Sequence, residues 1–138
     1  ISTSEISESL NASSFAGLLD DKKKTVMNIA LMEFLEHGIK YVFPTKPGSI
    51  VRGIPTAHSI KNLKSKIRSN SDVYVWPDPE GSVKGMAIEP LYPRAVKAVK
   101  NDQLLYALLA LTDVLRVGRV REKKISSNEL RKYITNVK

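Results

Sequence analysis

Ser2-Thr3-Ser4-Glu5-Ile6-Ser7-Glu8-Ser9-Leu10-Asn11-Ala12-Ser13-Ser14 is followed by Phe15-Ala16-Gly17-Leu18-Leu19, Asp20-Asp21-Lys22-Lys23-Lys24 and Thr25-Val26-Met27, and the fold assignment turns on this run. Ser2 and Glu5 have capping-box spacing, in which a hydroxyl and a carboxylate each satisfy an orphan amide. A helix is therefore predicted over residues 2–14. Ile6 and Leu10 lie four apart and share one face, expected to turn inward. The remaining positions are small or polar and form a broad exposed face. Phe15–Leu19 reads as a short strand, residues 20–24 as a polar tip, and Thr25–Met27 as the returning strand.

Downstream, a helix is predicted from Asn28 to His37, stopped by Gly38 in a left-handed cap. Ile39–Phe43 is β-like. Residues 44–55 carry Pro44, Pro47, Gly48, Gly53 and Pro55 and read as loop. Residues 56–72 read as an exposed linker. Val73–Trp76 and Val83–Ile88 are strands around a Pro77-Asp78-Pro79-Glu80-Gly81 turn, which makes 73–88 a hairpin. Residues 93–100 form a short helix. Asp102 caps a longer one to Val117, whose wide apolar stripe suits a core or an interface, and Gly118 ends it. Ser126 and Glu129 form a second capping box for a last helix to about Asn136.

Length and composition limit the possible functions. The 138 residues make one domain by size, with 42% hydrophobic and 26% charged residues, an ordinary globular mix. The absence of cysteine excludes disulfides, thiolate zinc sites and a cysteine nucleophile. The longest apolar run, Leu104–Leu111, falls well short of the ~20 residues of a membrane helix. The first residues do not have the basic-then-apolar order of a signal peptide. A net charge of +8 leans toward an anionic partner. No phosphate loop, dinucleotide fingerprint or nucleophile elbow is present, so the sequence gives no support to an enzyme and implies no cofactor or metal.

The order helix, strand, charged tip, strand resembles the recognition helix and wing of MarR-like winged-helix regulators. The matching residues are Ser4-Glu5-Ile6-Ser7, Leu10 and Gly17-Leu18-Leu19-Asp20. The match extends to a bacterial group of such proteins that carries a Trp-Pro-Asp-Pro-Glu-Gly motif in an added C-terminal half. Its stretches here are Glu33–Pro44, Val75–Gly81, Ile88–Pro93 and Leu115–Glu122. The resemblance implies an α+β chain: a winged helix, N-terminally incomplete, over residues 1–43, a loop or linker over 44–72, and a β-hairpin with C-terminal helices over 73–138. The first two helices of the motif would precede residue 1. It further implies a cytoplasmic transcriptional regulator that binds double-stranded DNA as a homodimer, with the apolar C-terminal helices setting half-site spacing.

Under this resemblance Ser2, Thr3, Ser4, Ser7, Glu8 and Asn11 face the major groove, and Lys22, Lys23 and Lys24 lie on the backbone. The plain alternative for the lysines is a solvated turn. The segment departs from the family in one respect: residues 1–21 hold Glu5, Glu8, Asp20 and Asp21 and no basic residue. Affinity for DNA comes mostly from phosphate neutralisation, so contacts must come from elsewhere. Lys61, Lys64, Lys66 and Arg68 would suit a basic arm, or simply a solubilising linker. Residues 116–138 hold eight basic and two acidic residues, and suit an anionic partner or an exposed helix end. His37 reads as a charge on the end of its helix. Trp76 reads as core, and Asp78 and Glu80 as turn residues. A second reading from another class is a protein-interaction module, such as the antitoxin of a two-gene pair, that grips its partner through residues 73–138.

Overall fold

The computed structural model describes residues 3–18, 20, 22, 25–60 and 73–135. The chain is α+β. Among the described residues, six helices, α1 Thr3–Phe15, α2 Asn28–His37, α3 Ile39–Val42, α4 Ala95–Ala98, α5 Gln103–Val117 and α6 Val120–Thr135, accompany strands β1 Ile50–Pro55, β2 Tyr74–Pro77 and β3 Val83–Ala87.

The N-terminal helix runs one residue further than predicted and residues 16–18 form its cap, so the described part of the expected Phe15–Leu19 strand is helix and turn. The helix closes at Gly17, whose φ of +85° is the left-handed conformation that glycine adopts without a Cβ clash. Leu18 N–H donates to Ser13 O at 2.9 Å and Gly17 N–H to Ser14 O at 3.1 Å, the paired bonds of a Schellman cap. Met27 N–H donates to Leu18 O and Asp20 N–H to Thr25 O, forming two antiparallel rungs.

The helix α2 has its predicted bounds, but Gly38 does not stop the helical path. Its φ of −118° is not left-handed, and Tyr41 and Val42 N–H donate to its carbonyl. Residues 39–42 therefore form α3 instead of the expected β-like segment. Ile39 is buried in the core, and that packing overrides its β-branched preference.

Two further expectations are corrected between residues 44 and 60. Ile50–Pro55 is the strand that pairs with both others, not loop. Residues 56–60 are buried, not exposed linker. Lys61, Lys64, Lys66 and Arg68 lie outside the described residues.

The expected 73–88 hairpin is also absent. Strand β1 is antiparallel to β2 and to β3, so β2 and β3 run parallel, and the three close into a small barrel. Instead of folding back, the 78–82 turn crosses over β1. Asp78 N–H donates to Arg52 O, and a Cβ on Gly81 would lie 2.5 Å from the Gly53 Cα. A Cβ on Gly53 would lie 2.1 Å from Trp76 O. Two glycines thus let backbone cross backbone, and no larger residue fits at either position.

The core joins Met32 and Leu35 of α2, Ile39, Trp76 of β2, Ile88, Leu111, Val114 and Leu115 of α5, and Leu130 of α6. Asp102 caps α5 as predicted, its carboxylate accepting from Leu105 N–H at 2.9 Å. By contrast, α6 begins six residues before the predicted capping box. Its N-terminal bond is Arg119 N–H to Glu122 Oε1 at 2.8 Å. Ser126 sits within the helix, fully buried, and donates to Leu111 O at 2.7 Å, which ties α6 to α5.

Candidate nucleic-acid interface

The small-residue composition of α1 decides its placement. Ser7, Glu8 and Asn11 are exposed on this helix, and so are Ile6 at 48% and Leu10 at 38%, so these two do not turn inward within this chain. Phe15 is 96% exposed. Thr3 and Ser4 belong to the helix backbone. Ser2, Lys23 and Lys24 lie outside the described residues, while Lys22 is exposed in the turn. The structure therefore brings together Ser7, Glu8 and Asn11 on one exposed helix, with Lys22 a short turn beyond it. Ser14 Oγ donates to Asp20 O at 3.1 Å and fastens the helix end to that turn. The Asp20 carboxylate accepts from Thr25 N–H at 3.2 Å, which closes the turn and uses one of the acidic groups of the segment.

The most connected polar cluster is one that the sequence reading did not find. It centres on Asp113 in α5, which is 1% exposed. Its Oδ2 accepts from Thr56 Oγ1 at 2.7 Å and from Trp76 Nε1 at 2.8 Å. Its Oδ1 accepts from Arg116 Nη1 at 2.8 Å. Arg116 is buried too, and donates to Phe43 O at 2.9 Å and Glu89 O at 3.0 Å. It is thus neither an exposed helix end nor part of a basic surface, a correction to the reading of residues 116–138. Burial raises the Asp113 pKa above its ordinary value, while the three donors and the guanidinium charge pull it back. One carboxylate and one guanidinium therefore tie α5 to the end of α3, the start of the 57–59 turn, β2 and the segment after β3. Both carboxylate oxygens meet donors, so the arrangement holds the fold rather than presenting a reactive group.

One signal for this cluster was in the sequence. Thr112-Asp113 and Arg116 interrupt an apolar helix whose stripe is wide enough to bury them, and charges that are buried must pair. The partners Thr56 and Trp76 are 57 and 37 residues away, beyond any spacing rule.

The other candidate residues occupy modest positions. Trp76 is core at 1% exposed. Asp78 Oδ1 accepts from Glu80 N–H at 3.1 Å, the turn role expected of it. His37 is exposed, its Nε2 3.6 Å from Glu36. His58 is buried, packs edge-on to Tyr74 and has no hydrogen-bond partner among the described residues; Glu122 Oε2 stands 3.9 Å from its Nδ1. Among the described residues no group of three or more His, Cys, Asp or Glu could hold a metal, and no helix is long and apolar enough to cross a membrane. No family model, curated protein or solved structure matches this chain.

Proposed function

We propose that this protein is a sequence-specific DNA-binding transcriptional regulator of the winged-helix, MarR-like type that acts in the cytoplasm as a homodimer. In this reading it binds DNA and is not an enzyme. The observation that carries the proposal is an exposed polar helix joined by a short cap to a two-rung antiparallel turn with Lys22 at its tip. That is the order of a recognition helix and its wing. Ser, Thr and Asn side chains on α1 suit base edges, Glu8 suits a cytosine amine, and the lysines suit phosphates.

The Lys22, Lys23, Lys24→Ala triple variant of the full chain tests it. Duplex binding should weaken across all sequences. The slope of log affinity against log salt should shrink by up to about 2.7, at ~0.9 for each phosphate no longer neutralised. Unchanged affinity and slope would remove the lysines from the interface and the wing reading with them.

A second reading is favoured by one specific feature. The side chains Ile6, Leu10 and Phe15 are exposed on a segment that is otherwise acidic. Exposed apolar side chains on an acidic helix suit a protein partner, as in an antitoxin that keeps a regulator's shape. A stoichiometric protein co-purifying from the native cell, without DNA footprints, would favour this reading.

A further inference from the structure

We propose that the outer face of the three-stranded barrel binds a phosphodiester backbone through Arg52 and Lys84. The inference rests on the nucleic-acid reading above but uses none of its residues. Arg52 and Lys84 are direct cross-strand partners in the antiparallel β1–β3 pair, and both are exposed. Neither has an acidic partner among the described residues, because the nearby Asp78 carboxylate accepts from Glu80 N–H and faces Lys100 at 4.0 Å.

Two like charges opposite each other on a sheet repel and cost stability. A frequent reason to place lysine on a strand is to protect a free edge from pairing with another chain. That reason does not apply to Arg52, whose strand is paired along one edge with β3 and along the other with β2. What remains is a pair of cations held side by side on a rigid element, with Cβ atoms about 5 Å apart by strand geometry. Their head groups can converge on one anion, the guanidinium by a forked pair of hydrogen bonds and the ammonium as a point charge. A nucleic-acid backbone offers such anions in series, and the chain's charge of +8 favours it at longer range.

The test uses the full chain, a mixed-sequence duplex as probe, and two variants. Arg52, Lys84→Ala should bind the duplex about tenfold more weakly at low salt, and its salt slope should be smaller by about 2. Lys84→Glu makes the pair opposite in charge, so it should melt higher than the parent while binding the duplex less well. Opposite signs in those two measurements exclude misfolding as the cause. Parental affinity and slope in both variants would overturn the proposal, as would a wild-type chain that does not bind the duplex. Competition by poly-glutamate as effective as by DNA of equal charge would also overturn it, in favour of an acidic protein partner. Loss of binding in the lysine-tip variant alone leaves the regulator reading standing without this face. Loss in the Arg52, Lys84 variants alone does the reverse.

Discussion

The helices α1 and α5 are 13 and 15 residues long, and the protein treats them in opposite ways. Ile6, Leu10 and Phe15 on α1 stay exposed, whereas α5 buries every residue from Ala110 to Arg116. The difference lies in the width of the apolar stripe. Two large aliphatic residues one turn apart among serines cover too little surface to hold a helix against a core. A stripe that runs nearly round the helix is drawn in so far that it takes Asp113 and Arg116 with it. Those two charges must then satisfy each other and the backbone around them. The helix that faces outward leaves its apolar side chains in solvent, while the one that faces inward commits even its charges to the fold.

The contrast is disturbed most severely at Asp113. Asp113→Ala leaves a buried guanidinium without its carboxylate, and should cost about 3–5 kcal/mol in urea unfolding. Changing both partners, as Asp113→Leu with Arg116→Met, should recover a good part of that loss, since no lone charge remains. A single variant as stable as the parent would show that the ion pair does not hold α5 in place.

A smaller effect is expected at Tyr106, whose hydroxyl donates to Pro55 O. Burial pushes its pKa from 10.0 up to about 12. The unfolded chain then loses this proton first, so the folded state binds more protons between those values and stability falls as pH rises through them. Tyr106→Phe should cost about 1 kcal/mol at neutral pH. It should also flatten this alkaline decline, measured as the change in unfolding free energy with pH. An unaltered slope would place the effect on another group.

The smallest change is expected on the exposed helix. Ile6→Ala and Leu10→Ala should each stay within about 0.5 kcal/mol of the parent in the same unfolding assay. A destabilisation several times larger would mean that α1 packs against the body, and the contrast with α5 would fail.

Much of the helical framework was legible from local signals. The bounds of α2, the Asp102 cap and the end of α5 at Val117 each follow from groups within a few residues of one another. The errors fall where a distant contact outweighs a local one. Gly38 has the residue type of a helix stop, but Ile39 gains more by entering the core than the chain gains by ending the helix. Ser126 and Glu129 have the spacing of a helix start, but Glu122 already supplies one, and the Ser126 hydroxyl is used across the interface to Leu111 O. Pro77–Gly81 has the residues of a tight hairpin turn. Whether such a turn reverses or crosses depends on Gly53, a strand away. The broad polar face of α1 was readable from its composition, whereas the outward placement of Ile6 and Leu10 and the cross-strand meeting of Arg52 with Lys84 required the folded chain.

Residue types at separations of one to four were enough to place helices α1, α2 and α5, to show that Asp102 caps α5, and to give α1 a narrow apolar stripe with a broad polar face. They were not enough to settle that β2 and β3 run parallel, that Asp113 meets Thr56 and Trp76, or that Arg52 and Lys84 stand opposed on the barrel; those came with the folded chain. Strand register and buried pairing are set by which surfaces exclude water together, and that depends on the whole chain at once.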